Sequence, residues 1–469
     1  MATVVPTISM RAHVVGEVVV RFYDKTSDVE KVLALEQKCE AGENGNDMTL
    51  LQNLLGDPLS RVRHYSTYTM LVAEVNCEIV GVIRAGIKNV VCRMRQGESI
   101  QAGSRGSTSY CEDEAAPVHA RVAYLLGLRV SPLHRRMGIG LKLALRIEEW
   151  CKEQGAEYTY FATTKDNEPS LKLFTRRLQY IPFRYPALVG HPVWHHSVRL
   201  PSHIQVTKLS VEAAVAMYRS VMRTEEFFPE DIDKILNHKL CAGTWVATVR
   251  EDRRWNSCCG GGSCRVSENL GTIESSFTSV SNDDCRPMPE SWAVISLWKC
   301  NEIFTMQLKG APLHKRTGAL ISRCVDKMLP WCGVPSFPDI FNPFGVQFMF
   351  GLHAEGPRGP ELFRWLCRHA HNVSRKDGCQ VLMTEVGETD PLRPYIPRWE
   401  KFSSDDDVWC AKKIVQDGKD VSCRGCSSNG SNRKTVGVAA AASVHDTVYD
   451  WCQLSPSRAC RMFIDPRDV

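Results

Sequence analysis

The sequence predicts an α+β (mixed α/β) fold: a central twisted mixed sheet flanked by helices, followed by a second half in the same order. Three observations carry this. Residues 18–200 alternate runs of strand spacing with runs of helix spacing. Within them, TMLVAEV (69–75) and EIVGVIRAGI (78–87) flank a very short turn and read as a hairpin. Residues 201–414 then pass through a comparable order, as structural self-similarity without a sequence repeat.

The first half opens on a strand, VVVRFY (18–23). DVEKVLALEQKCE (28–40) has helical spacing, with Asp28 placed to cap it. Residues 94–120 are polar and Gly/Ser-rich, a loop insertion. AYLLGLRVSP (123–132) is a strand stopped by Pro132. Gly138 to Gln154 is helical, with Ile139, Leu143, Ile147 and Trp150 on one face. YTYFATT (158–164) is a strand. EPSLKLFTRRL (168–178) is a helix with proline in its first turn, where a missing N–H does no harm.

In the second half, IQVTKLS (204–210) is a strand, and VEAAVAMYRSVM (211–222) and PEDIDKILNHKL (229–240) are helices. TWVATVR (244–250) and SWAVISLWKC (291–300) are strands separated by a Cys/Gly/Ser-rich loop. FGVQFMFGL (344–352), QVLMTEV (380–386) and DVWCAKKI (407–414) are strands, and 357–378 is a helix. The expected organisation is a flexible tail at 1–17, a first domain at 18–200 and a related half at 201–414. A disordered insertion follows at 415–447. Residues 448–469 regain apolar content and are expected to dock back on the fold.

Composition narrows the function. The chain has 469 residues, 43% hydrophobic and 24% charged, ordinary for a globular protein with sizeable cores. The net charge of +5 falls mostly in residues 18–200. It is too mild for the clustered basic face of a nucleic-acid binder, but it suits a small anionic ligand. No run of eighteen apolar residues predicts a membrane helix. The first twenty residues lack the pattern of a secretory signal, so the 20 cysteines read as reduced thiols of a cytosolic or nuclear protein. CCGGGSC (258–264) with Cys285, and CRGC (423–426), lack the second pair at set spacing that zinc requires, so no metal is expected. The histidines of HKRTG (314–318) and HAHN (369–372) read as solvent or core positions.

The informative stretch is LGLRVSPLHRRMGIGLKLALRIEEW, from Leu126 to Trp150. A strand gives way to a short loop, two glycines and an amphipathic helix. The first turn of a helix leaves N–H groups unpaired, and with the helix dipole these favour an anion. Gly138 and Gly140 keep side chains away from that backbone, and Arg135 and Arg136 add charge. A tight strand-to-helix turn would use the same glycines for packing. The third glycine of the dinucleotide fingerprint is missing, as is a strand-ending acid at the right distance, which disfavours a Rossmann site.

R-R-M-G-I-G resembles the R/Q-x-x-G-x-G/A signature of the GNAT acetyltransferases. LLGLRVSPLHRRMGIG, NEPSLKLFTRRLQY, TEEFFPEDID, PESWAVISLW, HAHNV, DPLRPYIPRWE and FIDPRDV are similar to the plant Hookless-type probable N-acetyltransferases, over nearly the whole chain. The resemblance implies a GNAT fold followed by a degenerate GNAT-like half. It also implies acetyl-CoA as co-substrate, a protein amine as acceptor with histone lysines as candidates, and a nuclear or nucleocytoplasmic role in plant growth regulation.

In that family the strand before the motif splays from its neighbour and pairs with the pantetheine arm; here that is Leu128, Arg129 and Val130. The pyrophosphate sits on the amides of the loop, here Arg135, Arg136, Met137, Gly138, Ile139 and Gly140. Asn167 occupies a position that commonly meets the cofactor. The family's usual tyrosine is replaced by Phe174, and its usual strand glutamate by Ala162. Glu74, Tyr124 and His134 are the candidate substitutes, each of which also reads as a surface carboxylate, a core tyrosine and a solvent histidine. The two departures motivate an alternative, a catalytically weak acetyl-CoA-binding regulatory or scaffold protein. In the second half FGLHAEGPRGPELF (350–363) stands where a phosphate loop would be, but Pro357 and Pro360 remove N–H donors, so it reads as structural.

Overall fold

The structure, a computed structural model, describes residues 17–40, 49–94, 117–250, 289–414 and 461–469. In these residues the strand-like runs pair into two large mixed sheets. The first has the order β1 (Val19–Phe22), β3 (Thr67–Val75), β4 (Glu78–Met94), β5 (Pro117–Val130), β6 (Tyr158–Thr164), β15 (Asp407–Lys413) and β7 (Ile181–Arg184). The second has the order β8 (Ala187–Pro192), β14 (Val381–Val386), β13 (Val346–Glu355), β11 (Trp292–Lys299), β10 (Cys241–Val249) and β9 (Ile204–Leu209). β2 (Thr49–Asn53) and β12 (Thr305–Lys309) form a separate ribbon.

Helices cover the outer faces because the sheets are apolar on both sides. α1 (Val29–Glu40) starts after Asp28, whose carboxylate accepts from Arg21 and from the Asp24 N–H. α2 (Ile139–Glu153) buries Ile139, Leu143, Ile147 and Trp150 against Leu71, Ile83, Leu125 and Phe161. α3 (Glu168–Leu171) runs on into a π-helical turn at Lys172–Arg177. In the second half come α4 (Val211–Val221), α5 (Ile232–Leu236), α6 (Leu313–Met328) and α7 (Gly359–Lys376). The apolar face of α7, with Leu362, Phe363, Leu366 and Ala370, packs on the second sheet. The inner faces of both sheets share one core, in which Tyr124, Tyr160 and Trp409 join Trp298, Phe350 and Phe463.

The division expected at residue 200 is not where the sheets part. β8, from the first stretch, pairs with β14 of the second sheet. β15, from the second stretch, is inserted between β6 and β7 of the first. Each half thus lends its last strand to the other, a pairing no local pattern can reveal. The helix expected over 229–240 shrinks to α5. Val90 bridges Pro229 and Asn89 O accepts from Glu230 N, which holds the start extended. β4 extends well beyond residue 87, through Lys88, because it pairs with β5 along its length. The tail at 1–16, residues 95–116, the Cys-rich segment 251–288 and residues 415–460 lie outside the described residues.

Residues 461–469 lie deep in the shared core. Lys88 Nζ, fully buried, donates to both oxygens of Asp468 at 2.8 and 2.7 Å and to Asp465 at 3.3 Å. Tyr65 and Tyr160 hydroxyls also donate to Asp468, at 2.5 and 2.7 Å. Arg467 pairs with Asp465 at 2.7 Å and, through both terminal nitrogens, with Asp231 ahead of α5 at 2.8 and 2.9 Å. Removing one partner from a buried set leaves the others charged without compensation, at about 3–5 kcal/mol. Lys88→Met should lower unfolding stability in guanidinium by about that much. Adding Asp468→Asn to it should recover part of the loss.

Candidate functional site

β5 and β6 pair in parallel only at Val122–Tyr124 with Tyr158–Tyr160, although the strands continue to Val130 and Thr164. Past Tyr124 they part. The cause lies on the other side of β5. The register with β4 slips between Val82↔Arg129 and Arg84↔Leu126, and Gly127 at the slip has φ +62°. A bulge of this kind bends its strand and sharpens the twist. Arg84 props the bulge from beneath: Nη1 donates to Gly127 O at 3.4 Å, Nε to Pro58 O at 2.7 Å and Nη2 to Glu36 at 2.8 Å. A Cβ on Gly127 would meet that guanidinium at 2.6 Å.

The splay opens a cavity of about 180 Å³ that passes through the sheet. On the α2 side it is lined by Ile83, Leu125, Phe161 and Phe174; on the shared-core side by Tyr124, Leu126, Ala162 and Arg61. Gly127, Leu128, Arg129, Thr163, Asn167 and Ser170 complete the wall. The volume is below the 300–1,000 Å³ usual for whole drug-sized ligands, so it fits the reacting end of a longer molecule.

Several expected residues meet here. Leu128 and Arg129 line the cavity, with Val130 next on the same free strand edge. Asn167 caps α3, accepting from Ser170 N at 3.4 Å, and its Nδ2 donates to Thr163 at 3.0 Å. Phe174 sits in the π turn with its ring 4.1 Å from that of Phe161. π turns are frequent at functional sites because they re-aim a side chain. Tyr124 lies against Tyr160, rings 4.9 Å apart. Burial, then Asp468 and Glu385, push its hydroxyl pKa well above the ordinary value, against the lowering effect of Arg61.

The phosphate-type loop stands next to the splay. After the turn Pro132–His134, Arg135 and Arg136 are exposed, and Arg136 and Gly138 have φ +64° and +78°. Apart from its own chain neighbours, nothing lies within 4 Å of where a Gly138 Cβ would be, so the start of α2 is open. Ile139 is 1% exposed and anchors the helix in the core, leaving only its backbone for a ligand.

Two expected candidates do not reach the cavity. Glu74 accepts from Arg21 Nε and Nη2 at 2.9 and 2.7 Å, in a cluster with Asp28 at the β1 edge. His134 turns to Ser131, 3.4 Å away. Residues the sequence did not single out do reach it. Arg61 donates to the carbonyls of Val469 at 3.4 Å and Asp468 at 3.5 Å. Phe161 looked like any strand residue. Among the described residues no three His, Cys, Asp or Glu side chains come together as a metal site, and 258–264, Cys285 and 423–426 lie outside them. No described helix is long and apolar enough to cross a membrane.

The corresponding loop of the second half is closed by its own chain. Ser291 Oγ accepts from Arg358 N at 3.1 Å, and a Cβ on Gly356 would strike Glu290 O at 1.9 Å. No space remains for a phosphate there.

Residues 35–180 match the family model described as "Acetyltransferase (GNAT) family". Over 405 residues the chain is 42% identical to the Probable N-acetyltransferase HLS1 of Arabidopsis thaliana, covering 86% of this chain and 94% of that protein. It is 38% identical to the Probable N-acetyltransferase HLS1-like of the same plant, covering 96% and 98%. It is 33% identical to the Acetyl transferase GW6a of Oryza sativa subsp. japonica, covering 96% and 97%.

The two glycines of the site separate strain from space. A left-handed backbone costs a non-glycine residue about 1–2 kcal/mol. Gly138→Ala should lose about that much, whereas Gly127→Ala should lose more because Arg84 must also move. Urea unfolding of the two variants checks the order.

Proposed function

The chain belongs to the GNAT acetyltransferase family, among the HLS1-type probable N-acetyltransferases, and we propose that it transfers acetyl from acetyl-CoA to a protein amine at the splay between β5 and β6. The observation that carries this is the splay itself, a free strand edge and a through-sheet cavity beside an open helix start. Acetyl-CoA supplies an activated acetyl group as a thioester.

The residues present fit such a ligand. The β5 edge at Leu128–Val130 offers backbone groups to an amide-rich arm. The amides from Arg135 to Gly140 offer donors to a pyrophosphate, with the helix dipole behind them and the arginine charges beside them. Asn167 and Phe174 flank the reacting end. Phe174 has no proton to give, and we assign that role to Tyr124. Tyr124 lines the cavity, and its hydroxyl carries a proton at neutral pH as any tyrosine's does, the first requirement of a donor to a departing thiolate. A hydroxyl in the cavity favours transfer over cofactor binding alone.

For the acceptor we propose a lysine of a basic protein, with histone tails as first candidates, in a nuclear or nucleocytoplasmic setting tied to plant growth. Of the acidic run Asp405, Asp406 and Asp407, the first is already paired with Arg393 and Arg398, and the other two, leading into β15 beside β6, support a cationic acceptor.

Calorimetry should detect acetyl-CoA binding to the full chain. Gly138→Asp places a carboxylate where the pyrophosphate would sit and should weaken binding at least about tenfold, since 1.4 kcal/mol of repulsion suffices. Unchanged affinity would remove the phosphate from that loop. Tyr124→Phe should lower kcat by about 100-fold, the scale of one acid–base contribution, with acetyl-CoA affinity retained.

A further inference from the structure

The second sheet repeats the register of the first. β13 and β14 pair in parallel only at Val346–Phe348 with Val381–Met383. Three residues beyond that last pair, Gly351 has φ +62°, as does Gly127 three residues beyond Tyr124. Two residues past the last pair on the partner strand stand Ala162 in the first sheet and Glu385 in the second.

Trp409 joins these two positions. It lies opposite Ala162 in the β15–β6 ladder, and its Nε1 donates to Glu385 Oε1 at 2.9 Å. The indole stacks on Tyr160, and Tyr160 packs on Tyr124 in the cavity wall. The carboxylate therefore stands on the shared-core side of the first sheet, opposite α2, behind Ala162 and Tyr124 of the cavity wall and not in that wall itself. Its other oxygen makes no hydrogen bond among the described residues, and the side chain is largely buried without being fully sealed off. The charged and titratable groups facing it are Asp407 of β15, Asp468 of the C-terminal segment and Tyr124 of β5. Burial first, then Asp407, push Glu385 up to about 8, against the Trp409 hydrogen bond. Burial and Asp406 push Asp407 up to about 6, against Lys165.

Resting on acetyl transfer at the splay, we propose that Glu385, from the second half, is the general base that takes a proton from the acceptor ammonium, with Asp407 as the residue that positions the cation. Glu385 Oε2 receives the first ammonium proton. The freed nitrogen forms a bond to the acetyl carbon, the C–S bond breaks, and the sulfur leaves with the electron pair. Of the two protons the nitrogen loses, one is balanced by the proton Tyr124 gives to the sulfur and regains, and the other passes through Glu385 to solvent. An ordinary glutamate near 4.3 is a poor base for an ammonium near 10.4; one near 8 is far better matched. The second half thereby has a chemical task besides its structural one.

The test uses the full chain, acetyl-CoA and a lysine-rich peptide, with release of the CoA thiol as readout. Glu385→Gln keeps an oxygen for Trp409. It should lower kcat about 100-fold or more, abolish the rise of kcat/KM near pH 8, and leave acetyl-CoA affinity within about twofold. Asp407→Asn should raise KM for the peptide and move that rise to lower pH, because one repelling charge is gone, with kcat nearly kept. In the protein without ligand, carbon-13 NMR should show a carboxyl titrating near pH 8 that is missing in Glu385→Gln. Wild-type rate and pH profile in Glu385→Gln, or no such carboxyl, would overturn the proposal while leaving acetyl transfer intact. A wild-type chain that binds acetyl-CoA but never releases CoA to an amine would overturn the base together with the transfer reaction. Failure to bind acetyl-CoA at all would instead strike the reading of the splay.

Discussion

The ion cluster around Lys88 is the constraint on which the rest of the molecule depends. A fully buried ammonium in the middle of β4 is costly unless matched, and its match comes from the far end of the chain, Asp465 and Asp468. The same carboxylates take hydrogen bonds from Tyr65 and Tyr160 and engage Arg467, which reaches Asp231 in the second half. One cluster thus fixes the central hairpin, the wall of the cavity and the second half together. Tyr160 is the link to the site: held by Asp468 on one side, it presents its ring to Tyr124 and Trp409 on the other.

Strand exchange gives the two halves a common fate. β15 sits within the first sheet between β6 and β7, and β8 forms the edge of the second beside β14. The halves therefore cannot be treated as separable units. They share topology, from the short parallel pairing to the left-handed glycine, but differ in what fills the space beyond. In the first half the loop at Gly138 is open. In the second, Tyr218 donates to Gly351 O at 3.1 Å and Ser291 closes the loop at Arg358. One half keeps a cavity and an open helix start, and in the other the same space is filled by its own chain.

Much of the first sheet was legible in the sequence because its signals are local. Pro132 stops a strand, Gly138 opens a helix, and Ile139, Leu143, Ile147 and Trp150 share a face; all four are buried as that spacing requires. The turn at Arg135–Gly140 and the place of Asn167 ahead of α3 were legible for the same reason. Glu74 was misplaced because nothing local reveals Arg21 as its partner, and His134 because a turn's side-chain direction is not encoded in spacing. The exchange of β8 and β15, the approach of Arg61 and the joining of Glu385 to Ala162 through Trp409 are non-local. Glu385 and Lys88 each looked like an ordinary charge in an amphipathic strand, and only tertiary structure reveals their burial.

The central claim is that the free edge of β5 beyond Tyr124 is the seat of acetyl-CoA. Hydrogen exchange of the full chain with and without acetyl-CoA tests it most directly. Amides of Leu125–Val130 that face away from β4, together with those at the start of α2, should exchange freely alone and become protected when acetyl-CoA binds. Demonstrable binding that protects neither segment would contradict the account.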